Sequence, residues 1–117
     1  MMSWIEIANQ GPTLIERMRA LLRADNYISF VELDQLDGFR GDTALTLEDY
    51  PNVVVWPSVS PQAAEDLATL MAAGECRIGR ASMLTYLVDG KVPKLPVAKR
   101  RMRYREPHWL PVMLLRP

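Results

Sequence analysis

The stretch that decides the fold is SPQAAEDLATLMAAGECRIGRASMLTYLVDGKVPKL, residues 60–95. Ser60 is a hydroxyl N-cap, Pro61 suits the first helical position, and Gly74 suits the end of a helix. These signals predict a helix over residues 60–74. After Gly74 the spacing of the apolar residues changes from helical to strand-like, so we expect β-structure to follow this helix.

The β-structure after the helix is predicted as four strands, at residues 76–79, 84–88, 91–95 and 109–115. Asp89 and Gly90 are a pair that favours a tight two-residue turn, so we expect the second and third strands to form a hairpin. The four strands together would make one antiparallel sheet at the C-terminal end of the chain.

Two more helices are predicted before this stretch. Pro12 suits the first turn of one helix, whose apolar residues recur at helical spacing until about residue 25. A short extended segment follows at residues 27–30. Ser29 with Glu32 then gives the capping-box pattern that begins the second helix.

This order of elements, over roughly residues 12–95, resembles a winged-helix domain. The resemblance implies a single α+β domain over residues 1–117, with three helices and a C-terminal antiparallel sheet whose hairpin is the wing. The chain departs from that family in two ways. A predicted hairpin of residues 43–47 and 53–56 separates the second and third helices, which a tight turn joins in the family. The third helix, which reads DNA in the family, contains Glu65 and Asp66 and no basic residue, so phosphates would repel it.

The charge of the chain divides sharply along its length, although its 14 basic and 14 acidic residues cancel. Residues 1–90 hold 6 Lys/Arg and 13 Asp/Glu, a balance of −7. Residues 91–117 hold 8 Lys/Arg and one acidic residue, Glu106, a balance of +7. An acidic body with a basic end points to a polyanionic partner or to an acidic protein surface.

The basic end contains the candidate binding site. Five cations and one tyrosine fall within residues 99–105, a composition typical of a segment that follows a phosphate backbone and offers a ring for stacking. We therefore expect nucleic acid or another polyanion as the partner, contacted with little base specificity. A solvated surface loop, or a segment that pairs with the acidic body of its own chain, would show the same composition. The candidate residues are Lys91, Lys94, Lys99, Arg100, Arg101, Arg103, Tyr104 and Arg105.

The alternative function is a protein-interaction or self-assembly module with no role in nucleic-acid binding. The apolar residues Trp4, Ile5 and Ile7 precede the first predicted helix without an obvious place in the same chain, which favours a homo-oligomer. The basic end would then meet an acidic face such as that formed by Asp34, Asp37, Glu48 and Asp49.

No spacing in the chain indicates an enzyme, a cofactor or a metal site. The only histidine, His108, and the only cysteine, Cys76, lack a nucleophile–base or metal-ligand pattern around them. The single cysteine fits a reducing compartment, no signal peptide is read at the N-terminus, and the apolar runs are too short to cross a bilayer. We therefore expect a cytoplasmic, non-enzymatic protein without a membrane partner.

Overall fold

Five helices and six strands alternate along the chain, and the computed structural model describes all 117 residues. The helices are α1 (Trp4–Ala8), α2 (Leu14–Ala24), α3 (Phe30–Asp34), α4 (Pro61–Ala72) and α5 (Met83–Asp89). The strands are β1 (Tyr27–Ser29), β2 (Arg40–Leu47), β3 (Tyr50–Val59), β4 (Arg77–Arg80), β5 (His108–Trp109) and β6 (Val112–Leu115). The α+β class is confirmed, with five helices where three were expected.

Side-chain caps begin the helices where the local sequence indicates them. The Ser60 hydroxyl accepts a hydrogen bond from the Ala63 N–H, and Pro61 is the first residue of α4. Ser29 and Glu32 form the complete capping box of α3. Each cap satisfies N–H groups that have no partner inside the helix, which is why short sequence motifs suffice to place these helix ends.

The six strands form two separate three-stranded sheets. In one sheet β6 lies between β1 and β4 and is antiparallel to both. In the other, β3 lies between β2 and β5, antiparallel to β2 and parallel to β5. The predicted hairpin of residues 43–47 and 53–56 is confirmed as β2 and β3. The predicted final strand, residues 109–115, is divided between the sheets, because the chain leaves β5 at Trp109 and enters β6 at Val112.

The predicted strand at residues 84–88 is wrong, because this segment lies in α5. Ser82 caps the helix through its hydroxyl, and Gly90 follows it in the left-handed conformation, with φ of 82°. Asp89 and Gly90 therefore end a helix and do not turn a hairpin. The predicted strand at residues 91–95 is wrong as well, since no strand forms there. The chain thus lacks the wing that the winged-helix resemblance implies, and β1 from the N-terminal half completes the sheet with β4 and β6.

Tyr86 explains why this segment folds as a helix. It is the one buried residue of α5. Its hydroxyl donates a hydrogen bond to the Val112 carbonyl at 2.5 Å and accepts one from the Phe30 N–H at 3.1 Å. The other apolar side chains of α5 are exposed and do not reach the core, so the tertiary contacts of Tyr86 decide the conformation of this segment.

One continuous core of 24 buried residues joins the helices to both sheets. Four aromatic rings run through it in the order Phe30, Trp56, Tyr86 and Trp109, with successive ring centroids 5.9, 5.7 and 5.1 Å apart. Trp56 and Trp109 belong to β3 and β5, so the sheet that carries the basic end is anchored in the core. No helix of the chain has the length and apolar character needed to span a membrane.

Candidate functional site

Residues 98–107 form an irregular loop, here called the basic loop, that leaves the β2–β3–β5 sheet and returns to it. Its neck is closed by two backbone hydrogen bonds: the Ala98 N–H donates to the Trp109 carbonyl, and the Trp109 N–H donates to the Pro96 carbonyl, each at 2.7 Å. Trp109 also pairs with Val54 of β3. Both ends of the basic loop are therefore fixed to a buried strand, and the basic residues project from a defined place on the domain.

Tyr104 organises the interior of the basic loop. Its hydroxyl donates to the Arg100 carbonyl at 3.1 Å, and its own carbonyl accepts from the Asn52 side chain of β3 at 2.9 Å. Its ring stacks on His108, with the ring centroids 3.9 Å apart and the planes 17° from parallel. The His108 Nδ1 atom lies 2.8 Å from the Glu106 carbonyl, which fixes the orientation of the imidazole. These contacts hold the loop in one shape, so binding a ligand costs little additional ordering.

Six of the eight predicted site residues are cations that remain free of acidic partners. The three ion pairs of the structure involve Arg19, Arg40 and Lys91, and none involves a cation between residues 94 and 105. Pairing with the acidic body therefore does not account for the composition of this segment. The six free and exposed cations are Lys94, Lys99, Arg100, Arg101, Arg103 and Arg105.

Lys91 does not belong to this group. Its Nζ atom lies 2.6 Å from Oδ2 of Asp34, and Nη2 of Arg40 lies 2.7 Å from the same oxygen. The Asp34 side chain is 2% exposed, and burial alone would raise its pKa, but the hydrogen bonds from Arg40 and Lys91 outweigh burial and lower it. Asp34 holds Lys91 in the body of the domain, so we leave Lys91 out of the candidate site. For the same reason Asp34 is not available to the acidic face expected under the alternative function.

A surface groove of about 380 Å³ lies beside the stacked pair of Tyr104 and His108. Two cations, Lys99 and Arg100, line it together with these rings. Val97 and Met102 complete its lining. The groove thus combines positive charge, aromatic rings and aliphatic surface, a mixture that suits a ligand with both an anionic and a flat aromatic part.

Arg80 is a further candidate residue that the sequence did not indicate. Its guanidinium nitrogens lie 3.3 and 3.4 Å from the Lys99 carbonyl, so its positive charge adjoins the basic loop. Arg80 comes from β4 and lies far from the loop in sequence, and only the packing of the two sheets brings them together. Arg101 has a different setting, because it lines a second depression with Arg77 and the carboxylates of Glu48 and Asp49.

The surroundings of Cys76 and His108 do not support a reactive pair of these two side chains. Cys76 is buried in the core, and burial followed by the nearby Glu75 charge raises the pKa of its thiol. The thiol therefore stays protonated at neutral pH, which makes it a poor nucleophile. His108 is engaged with Tyr104 and with the Glu106 carbonyl in the basic loop.

The exposed side of α5, here called the α5 face, is a second surface of interest. Its apolar side chains recur at helical spacing and leave large fractions exposed: Met83 41%, Leu84 64%, Leu87 55% and Val88 79%. The N-terminal segment is less open than expected, because it forms α1, with Ala8 buried and Ile5 packed on the core, although Trp4 stays 63% exposed. Contiguous exposed apolar groups of this kind mark contact surfaces for other proteins.

Comparison of the chain with protein-family models, with curated proteins and with solved structures finds no match.

Proposed function

We propose that this chain binds nucleic acid through its phosphate backbone, with the basic loop as the contact surface. The observation that carries the proposal is the set of six exposed cations on residues 94–105, none of which forms an ion pair with a carboxylate of the chain. Four of them are arginines, whose planar guanidinium donates two parallel hydrogen bonds to a phosphate. Arg80 adds one more positive group at the edge of the loop.

The acidic body supports the same assignment, because it limits which side of the domain can face a polyanion. Residues 1–90 carry a balance of −7, and a phosphate backbone would repel them. Helix α4 is part of this body, with Glu65 exposed and no basic residue. We therefore place the contact on an irregular loop and not on a helix in the major groove, and such a loop reads few base edges. Neither point depends on the winged-helix resemblance.

A salt titration of binding to generic duplex DNA and to RNA tests the proposal. The variant has Arg100, Arg101, Arg103 and Arg105 changed to alanine. Each phosphate contact contributes a slope of about −0.9 to the plot of log affinity against log salt on duplex DNA, so the variant should flatten this slope by up to about 3–4.

A matched pair of double variants separates the loop from net charge. Arg103→Ala with Arg105→Ala should flatten the duplex slope by up to about 2, because two phosphate contacts are lost. Arg23→Ala with Arg116→Ala removes the same charge from a different depression and should leave the slope unchanged. Absence of wild-type binding at low salt, or equal effects of the two double variants, would contradict the proposal.

The second candidate function is self-assembly or binding of another protein through the α5 face. Its specific support is the exposure of Leu84, Leu87 and their apolar neighbours on one side of a helix. Light scattering of the purified protein measures the mass in solution. If assembly uses this face, Leu84→Gln with Leu87→Gln should yield a monomer without a change in the free energy of unfolding, since both side chains are exposed.

We also propose that the chain is not an enzyme and acts in the cytoplasm. The support is that its single thiol is buried and free of any disulfide, and that its single histidine is held at the start of β5 by Tyr104 and a backbone carbonyl. Nucleic acid recovered after prolonged incubation with the protein should therefore be intact. Cleavage that copurifies with the protein and disappears in His108→Ala would contradict the non-enzymatic assignment.

A further inference from the structure

We propose that the groove beside Tyr104 and His108 holds one unpaired nucleotide, so that the basic loop prefers single strands to duplex. The nucleotide site rests on the proposed function, whose substrate class it names. The groove measures about 380 Å³. Sites for small ligands span about 300–1,000 Å³, so one nucleotide fits the available space.

The lining of the groove matches the two halves of a nucleotide. The Tyr104 and His108 rings are already stacked, and a base placed against the pair extends that stack. Val97 and Met102 add aliphatic surface for the base, whereas Lys99 and Arg100 supply positive charge for the phosphate. Four other grooves of the chain lack this combination of two stacked rings with two unpaired cations.

The preference for single strands follows from where the faces of a base are. In a duplex each base is stacked between its neighbours, so its faces cannot reach a protein ring without unstacking. An unpaired base presents its face directly. The hydrogen bond from the Tyr104 hydroxyl to the Arg100 carbonyl holds the ring, and the one from Asn52 holds the Tyr104 backbone, so little conformational freedom is lost when the base arrives.

The nucleotide belongs to a strand and is not a free metabolite. A free mononucleotide would use the groove alone. The cations continue beyond the groove to Arg103 and Arg105, which do not line it and remain exposed. These arginines are placed to contact phosphates next to the bound nucleotide, and a strand is the ligand that provides them.

The test compares a labelled single strand, a duplex of the same length and the free mononucleotide as ligands of the full chain. The wild type should bind the single strand more tightly than the duplex, and the mononucleotide least tightly. Tyr104→Ala should weaken single-strand binding about 5- to 150-fold, the range for loss of one stacked base, without changing the salt slope. Tyr104→Phe keeps the ring but loses the hydroxyl bond to the Arg100 carbonyl, so its affinity for the single strand should lie between those of Tyr104→Ala and wild type. Tyr27→Ala, at a tyrosine that is 60% exposed on β1, is the matched control and should have no effect.

A measurement on the unmodified protein covers the case in which Tyr104→Ala disturbs the fold. His108 is the only histidine, so the NMR signal of its Hε1 proton is assigned without ambiguity. A base stacked on the pair should shift this signal through its ring current, and the single strand should shift it more than the duplex does.

The outcomes separate this inference from the function on which it rests. Salt-dependent binding of single strand and duplex with equal affinity, together with an unmoved His108 signal, would overturn the nucleotide site and leave phosphate binding intact. Mononucleotide binding as tight as that of the strand would overturn the assignment to a strand. Loss of all salt-dependent binding would overturn both.

Discussion

Changing Tyr86 to Phe removes one buried hydroxyl, which links Phe30 in the N-terminal half of the chain to Val112 near its C-terminal end. Phenylalanine preserves the ring contacts with Trp56 and Trp109, so the variant removes only the hydroxyl. The Phe30 N–H and the Val112 carbonyl then lose a common partner inside the core. Each unsatisfied buried group costs about 1–3 kcal/mol, so we expect the free energy of unfolding to fall by about 3 kcal/mol.

The pH dependence of the same variant provides an independent check. Burial raises the pKa of Tyr86 from its ordinary value of 10 to about 12. The unfolded chain therefore ionises this hydroxyl before the folded chain does, and the stabilisation is complete below pH 10 and is lost as the pH rises from 10 to 12. Two pH units correspond to about 2.7 kcal/mol of stability, which wild type but not Tyr86→Phe should lose over this range.

The assay is urea unfolding of wild type and Tyr86→Phe, followed by the fluorescence of the buried Trp56 and Trp109. The difference in unfolding free energy should be about 3 kcal/mol at neutral pH and should shrink towards zero near pH 12. Tyr27→Phe, at an exposed tyrosine, serves as the control and should differ from wild type by less than about 0.5 kcal/mol. A neutral-pH difference below about 0.5 kcal/mol for Tyr86→Phe, or one that is constant with pH, would refute the reasoning.

Three further predictions concern the body of the domain. Asp34→Asn should lower the free energy of unfolding at neutral pH by about 1–2 kcal/mol, because Arg40 and Lys91 lose their charged acceptor but are exposed enough to regain water. Since the pKa of Asp34 is lowered, its contribution to the free energy of unfolding is present above the ordinary carboxyl pKa and is lost as the pH falls through the lowered value. The unfolding free energies of wild type and Asp34→Asn should therefore converge in acid. Gly41→Ala should lower the free energy of unfolding by about 1–3 kcal/mol, because the new Cβ would lie 2.5 Å from the Ser60 Cα atom. Gly79→Ala should lower it less, because there the new Cβ meets a Leu115 methyl that can rotate away. An equal melting temperature for the two variants would contradict this comparison. Ser60→Ala removes both the cap of α4 and the hydrogen bond to the Gly38 carbonyl at 2.7 Å, and thermal unfolding should show a loss of about 1–2 kcal/mol.

The parts of the fold that the sequence predicts are those that neighbouring residues determine. The caps at Ser29 and Ser60 involve groups three residues apart, and the β2–β3 hairpin joins adjacent strands. The strand predicted at residues 84–88 is wrong because the main determinant of α5, Tyr86, acts through Phe30 and Val112, which are 56 and 26 residues away. Ser82 and Gly90 are local signals for the two ends of this helix, and the apparent alternation of the residues between them conceals both.

In the candidate site, too, the sequence predicts the local features and misses those that depend on distant residues. Composition alone identified the free cations and Tyr104, because a run of like charge cannot be buried and must reach the surface. Lys91 lies outside the site because it pairs with Asp34, 57 residues earlier in the chain. The position of Arg80 beside the basic loop depends on how the two sheets pack. The Tyr104–His108 stack joins residues four apart, but in a loop whose shape is set by the neck at Trp109, so helical spacing rules do not reveal it.

The segregation of charge also determines how the two candidate functions can be told apart. A basic loop on one copy and an acidic body on the next can attract each other head to tail, and salt weakens this contact as it weakens binding to nucleic acid. Salt sensitivity alone therefore does not identify the partner. Contact through the α5 face buries apolar groups, and salt does not screen it. We expect Arg103→Ala with Arg105→Ala to abolish a salt-sensitive oligomer and Leu84→Gln with Leu87→Gln to abolish a salt-resistant one. If light scattering gives a monomer at every salt concentration while nucleic-acid binding keeps its slope, the basic loop has a partner outside the chain, and the acidic body serves to orient the domain on it.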